Sequence, residues 1–130
     1  MGKTVVSNQK NIYMRNNLVS EAAIQSQAFI NLWNNRPDLR GRFFTINNNS
    51  ENAIKGALNK ALGVLAGVSD MCFLLEDGRV LWIEWKTVKG HQSRKQEAWG
   101  ELCCKLGHLY IIVRNEEEFL KIINFYVCEI

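Results

Sequence analysis

The stretch Met71-Cys-Phe-Leu-Leu-Glu-Asp-Gly-Arg-Val-Leu-Trp-Ile-Glu-Trp85 constrains the fold more than any other part of the chain. Two apolar runs flank an Asp-Gly pair, the pattern of two antiparallel strands joined by a tight turn. Asp70 stands at the start of the first run, and Glu84-Trp-Lys86 ends the second. Side chains two apart on a strand share a face, so Glu84 and Lys86 project together with Trp82, while Ile83 and Trp85 face the other way.

Whether Asp70 joins them depends on register. If Asp77-Gly78 alone forms the loop, Asp70 lies opposite Trp85, and Asp70 and Glu84 fall on opposite faces. If Glu76-Asp77-Gly78 is a three-residue loop, with Gly78 left-handed in a bulge, Asp70 lies across from Glu84. A one-residue slip flips every side chain, so the two cases exclude each other. The three-residue register is the expected one. It sets the two acids about 4.5–5.5 Å apart at their Cβ atoms. Like charges at that range resist joint ionisation, a conflict that a divalent cation resolves. An all-oxygen site with room for waters suits Mg²⁺, or Mn²⁺ as its substitute. Lys86 is then placed to orient a metal-bound water and to meet charge on a phosphate. The plainer reading has Asp70 capping a turn, with Glu84 and Lys86 solvated on an exposed strand. The acid, hairpin and Glu-x-Lys in sequence favour the site.

The rest of the chain supplies elements around this hairpin. Ser20 is a good N-cap for a helix to about Asn34 or Asn35, with Pro37 beyond its end. Ile24, Ala28 and Leu32, with Ala23, Ile30 and Trp33, give that helix a broad apolar side. Glu21 stands at its positive end, where an acid is favourable in any case. Phe43-Phe-Thr-Ile46 reads as a short strand preceded by Arg36, Arg40 and Arg42, which fit either a solvated loop or phosphate contacts. Residues 53–62 read as helical or turn-like. Ser93-Arg-Lys-Gln96 is a capping box opening a helix to Leu106, with Gly107 as its stop. Trp99, Leu102, Cys103 and Leu106 form its apolar stripe, which makes Trp99 a core residue. His108–Val113 is a buried strand running parallel to a hairpin strand through the helical crossover. Asn115 caps a last helix through about Tyr126, packed by Phe119, Ile122, Ile123 and Tyr126. Residues 1–17 form an N-terminal arm that suits a loose segment, a short strand or a dimer contact equally well. Residues 18–130 form one domain. The predicted order is α-β-β-β-α-β-α, an α/β domain with a mixed central sheet.

Asp, then a hairpin, then Glu-x-Lys resembles the PD-(D/E)XK nuclease superfamily, and the flanking residues resemble its VRR-NUC branch, in the minimal stand-alone form of phage and bacteria. The matching positions are Glu21 with Gln25 one turn on, Asn47 after the next strand, and Lys60-Ala-Leu-Gly-Val-Leu-Ala-Gly-Val-Ser-Asp70. Glu84-Trp-Lys86 and Ser93-Arg-Lys-Gln96 complete the set, from about Ser20 to Val113. Ser69 stands where the superfamily's name has Pro. The resemblance implies a restriction-endonuclease-like core and Mg²⁺-dependent hydrolysis of DNA phosphodiesters. It implies a metal held by Asp70, Glu84 and the carbonyl of Trp85, with Lys86, Glu21 and Gln96 completing the catalytic set. Lys60, and Lys89, His91 and Arg94 on and after a donor-rich loop beside the site, are the candidate DNA contacts, with Asn47 either a further contact or simply a turn residue. Small members of the branch look like homodimers acting on branched DNA such as four-way junctions. A nuclease-fold module that binds nucleic acid or a protein without turnover, and an RNA endonuclease, are the competing readings.

Bulk properties are compatible with this. A chain of 130 residues suits one domain with a genuine core, and 47% hydrophobic content with a single Pro argues against extensive disorder. The net charge of +3 permits a nucleic-acid partner, though a local patch would have to do the binding. No apolar run is long enough to span a bilayer and no signal-peptide core is present, so a cytoplasmic protein is expected. The four cysteines include no Cys-x-x-Cys pair, which excludes common zinc spacings and reads as reduced, mostly buried thiols.

Overall fold

The computed structural model describes residues 20–46 and 52–127. The N-terminal arm, Asn47 and Cys128 lie outside them. Helix α1 (Glu21–Asn35) starts as its sequence dictates, with the Ser20 hydroxyl accepting from the Ala23 amide at 3.1 Å. A 3-10 turn at Pro37–Leu39 leads into strand β1 (Phe43–Thr45). Residues Ala53–Ala61 form a regular helix, α2, capped by Asn52, so a helix stands between the first two strands of the expected order. Then follow β2 (Met71–Leu74), β3 (Val80–Trp85), α3 (Arg94–Lys105), β4 (Leu109–Val113) and α4 (Glu116–Val127). Sheet order is β1-β2-β3-β4, antiparallel except for the parallel β3–β4 pair. The fold is a mixed-sheet α/β domain of restriction-endonuclease-like form.

The hairpin adopts the three-residue register. Met71 pairs with Ile83 and Leu74 with Val80, which carries Asp70 opposite Glu84. At the tip the Gly78 amide donates to the Leu75 carbonyl at 3.2 Å, and the Leu75 amide donates to the Arg79 carbonyl at 3.0 Å. Gly78 takes φ +91°, the left-handed conformation the bulge requires.

Alternation on the strands then assigns the two faces. Met71, Phe73, Leu81, Ile83, Trp85 and Val113 point to the side covered by α1 and α4, where Ala28, Leu32, Phe119 and Ile123 complete a dry core. Trp82, Glu84 and Tyr110 point to the other side, beneath α3, where Trp99 packs edge-on against the rings of Trp82 and Tyr110. Trp99 is therefore only half-buried rather than core. Leu102 and Leu106, expected in the buried stripe of α3, are exposed, because that helix crosses the sheet with only Gly100 and Cys103 fully covered. In α1 the buried stripe narrows to Ala28 and Leu32, leaving Ile30 and Trp33 partly exposed. Of the described cysteines, Cys72 and Cys103 are buried and Cys104 is exposed; all three are free thiols. No described helix is long and apolar enough to cross a membrane.

The arginine cluster before β1 takes part in packing. Arg36 pairs with Asp38 at 2.8 Å, Arg40 lies 5.0 Å over the Trp33 ring, and Arg42 lies 4.9 Å over the Phe73 ring while donating to the Leu74 carbonyl. These contacts favour the structural reading of the cluster over phosphate binding.

Candidate functional site

Asp70 is held from both neighbouring strands. Its carbonyl accepts from the Ile46 amide at 2.7 Å and from the Thr45 hydroxyl at 2.9 Å, and that hydroxyl accepts from Gln25 Nε2 at 3.1 Å. Its side-chain Oδ2 accepts from the Trp85 amide at 2.8 Å, which continues the hairpin ladder by one rung with a carboxylate in place of a peptide. One carboxylate oxygen is thus tied to the backbone of β3 while the acid faces Glu84.

Glu84 is 1% exposed. Its Oε1 accepts from Gln96 Nε2 at 2.9 Å and lies 3.5 Å from Lys86 Nζ, whereas its Oε2 is buried without a hydrogen-bond partner. Burial, reinforced by the charge and hydrogen-bonding carboxyl of Asp70, pushes the Glu84 acid up to about 8, against a weaker opposing pull from Lys86. In the absence of a cation Glu84 therefore holds its proton near neutral pH. Without that proton the buried Oε2 would be left with no partner, at a cost of about 1–3 kcal/mol or more. A hard divalent cation held by the two acids would satisfy that oxygen in the proton's place, so the donor set fits a divalent metal.

Gln96 serves two ends at once. Its Oε1 accepts from the Ser93 amide at 2.9 Å and its own amide donates to the Ser93 hydroxyl at 3.2 Å, forming the capping box of α3. Its Nε2 is the donor to Glu84. The helix start and the acid's orientation are the same contact.

Glu21 opens α1, half-exposed, on the side of the turn that follows Lys86: a Cβ placed on Gly90 would lie 3.5 Å from Glu21 Oε1. Among the described residues no three His, Cys, Asp or Glu side chains group closely enough to hold one ion, so the facing acids are the pair Asp70 and Glu84, with Glu21 set apart. Lys89, His91 and Arg94 are exposed on the loop after β3 and the first turn of α3. Lys60 is exposed on α2, across a cleft of about 860 Å³ from Lys95, Trp99 and Leu102 of α3. The structure therefore brings Asp70, Glu84, Lys86 and Gln96 together and sets the other described candidates, Glu21, Lys60, Lys89, His91 and Arg94, on the elements around them.

Two residues at this site, Thr45 and Tyr110, had no signal in the sequence. Thr45 braces Asp70 and is itself held by Gln25, the matched helix position, but a strand Thr is too common to stand out. Tyr110, paired with Trp82 across β3–β4, lines the same face; burial raises its hydroxyl, which accepts from Gln92 Nε2 at 3.0 Å.

The sequence matches no protein-family profile and no curated protein. In the solved structures, one described as a "VRR_NUC domain protein" is similar to this chain with a TM-score of 0.68 at 19% identity, covering 85% of this chain and 89% of that one. The fold is VRR-NUC-like.

Proposed function

We propose that the chain is a metal-dependent endonuclease that hydrolyses DNA phosphodiester bonds, selective for branched DNA such as four-way junctions, and that it works as a homodimer. The observation that carries this reading is the buried Glu84 carboxyl across from Asp70, with no donor to its Oε2 and its Oε1 3.5 Å from the Lys86 ammonium. Asp70, Glu84 and the carbonyl of Trp85 would hold Mg²⁺, with Mn²⁺ as substitute. When bound, the ion supplies Lewis-acid polarisation of the scissile phosphate and lowers the pKa of a water. Lys86 orients the attacking water and meets phosphate charge. Gln96 fixes Glu84 by one oxygen and so directs the other, while Glu21 bounds the pocket from α1. Asn47, Lys60, Lys89, His91 and Arg94 take phosphates, which position a duplex without reading its sequence.

The dimer finds support in α2. This nine-residue helix buries no residue, although a helix that short is marginal in water without a partner. Ile54 is 83% and Leu62 73% exposed, Leu58 and Leu65 are exposed on α2 and just after it, and Leu102 and Leu106 are exposed on and just after α3. A second copy covering these side chains sets two sites about a two-fold axis, which matches a two-fold branched substrate. Sedimentation velocity is expected to give a dimer. Leu58→Lys combined with Leu62→Lys removes two side chains worth about 1.5 kcal/mol or more each, a loss of about a hundredfold or more in dimer affinity. A wild-type monomer at all concentrations would remove this part of the reading.

The activity is tested with labelled four-way junction, flap, linear duplex and single-stranded DNA, and RNA in parallel, in Mg²⁺ or Mn²⁺. Paired cuts near the branch are expected, with Lys86→Ala slower by about a hundredfold or more and Glu84→Ala inactive. Wild-type cutting by either variant would refute the site. DNA binding without cutting would favour a binding module, and cutting of RNA alone an RNA endonuclease.

A further inference from the structure

We propose that Arg114 is a positioning residue for Lys86: its guanidinium closes the turn that follows the site's lysine and fixes that turn beside the first residue of α1. Arg114 lies immediately after β4. Its Nη1 donates to the Thr87 carbonyl at 2.6 Å, the Gly90 carbonyl at 2.7 Å and, more weakly, the Val88 carbonyl at 3.4 Å. The turn's own bond, from the Gly90 amide to the Thr87 carbonyl, is 3.0 Å. One rung earlier, the Lys86 amide donates to the Val113 carbonyl at 3.0 Å. The end of β4 therefore grips the chain at Lys86 and again through the three carbonyls that follow it.

The turn has little else to hold it. Val88 is 80% exposed and residues 86–93 belong to no helix or strand. Three carbonyl oxygens converging on one side are a cation site made of backbone dipoles, and all three meet the same nitrogen, Nη1, at the end of the long arginine side chain. Arg114 is itself anchored: its amide donates to Glu118 Oε2 at 2.8 Å, and the Glu118 amide donates to Asn115 Oδ1 at 2.8 Å, at the start of α4. The arginine is half-buried and its Nη1 is committed to these carbonyls. What it governs is the path from Lys86 to Ser93, and so the spacing between the lysine and the helix that carries Gln96. Gly90 lies against Glu21, so the same turn sets the third acid's distance from the lysine.

The effect on catalysis rests on the nuclease reading; the clamp itself does not. The test compares Arg114→Ala and Arg114→Lys with wild type in the full chain. In Arg114→Ala, kcat for DNA cutting is expected to fall about tenfold to a hundredfold, while KM and the Mn²⁺ half-saturation concentration move less than about twofold. Millimolar guanidinium should restore part of the lost rate in Arg114→Ala and none in wild type. Arg114→Lys should fold normally with an intermediate kcat, and it decides the matter if the Ala variant does not fold. By hydrogen exchange, the Gly90 amide should open about tenfold faster or more in Arg114→Ala, with the β3 amides unchanged. An unchanged kcat in both variants, or Mn²⁺ affinity falling in step with kcat, would overturn the positioning role. If wild type cuts nothing, the nuclease reading fails instead, and Gly90 exchange still decides the clamp: faster exchange keeps it, unchanged exchange removes it.

Discussion

Replacing Glu84 with Gln is expected to stabilise the metal-free protein at pH 8 by a few kcal/mol, on the order of 10 °C in Tm. In the fold the Glu84 acid is raised from its usual 4.5 to about 8 by burial and by Asp70. Below pH 4.5 the acid is protonated in both folded and unfolded chains and contributes no penalty. As pH rises, the unfolded chain releases the proton while the folded chain keeps it, so stability falls through this window and levels off above pH 8. Gln imitates the protonated acid: its oxygen still accepts from Gln96, and its amide nitrogen has Asp70 as acceptor. The gain should therefore vanish near pH 4 and be largest at and above pH 8. Added Mn²⁺ should reverse the order, raising the Tm of wild type at pH 8 and leaving the Gln variant unmoved, because the cation needs both acids ionised. Thermal melts of both proteins across pH, with and without metal, check this. Equal melting at pH 8 without metal would mean that Glu84 is not the desolvated acid described above.

The second large effect belongs to a residue outside the acids. Gly67 has φ +93°, and a Cβ there would meet the carbonyl oxygen of Lys95 at 2.8 Å and its carbon at 2.9 Å. Gly78 has the same conformation, φ +91°, with nothing within 4 Å. Gly78→Ala thus isolates the backbone cost, about 1 kcal/mol, whereas Gly67→Ala adds a collision with the first turn of α3, where neither partner is a flexible side-chain end. Gly67→Ala is expected to cost about 2–4 kcal/mol. It also moves the segment leading to Asp70 away from the helix holding Gln96. Urea denaturation should separate the two variants by at least about 1 kcal/mol, and only Gly67→Ala should weaken Mn²⁺ binding. Equal costs would show that the Gly67–Lys95 approach is not tight in solution.

What could be read from the sequence was what short-range rules determine. Ser20, Asn115 and the Ser93–Gln96 box cap their helices because a side chain three residues from an unpaired amide has few other uses. The hairpin register followed from a Gly that tolerates positive φ after Glu76-Asp77. The unread part depends on long-range geometry. Arg114 reaches carbonyls 24 to 27 residues earlier, and side-chain bonds to backbone carbonyls impose no residue type on the accepting end. The exposure of Leu102 and Leu106 depends on how α3 crosses the sheet, which its periodicity does not encode. Nor does a run of arginines reveal that Trp33 and Phe73 lie beneath two of them.

The hairpin tip has a bearing on how this chain can vary. Asp70 lies five residues, about 17 Å of extended strand, from the loop that decides which side of the sheet it faces. Loops far from chemistry ordinarily tolerate insertions and deletions, yet here the tip acts as a parity switch. Adding or removing a single residue would turn Asp70 and its whole strand over while leaving every candidate site residue in the sequence. A relative could thus keep each acid and the lysine and still be silent, and the length of Glu76-Asp77-Gly78 becomes as informative about activity as the acids themselves.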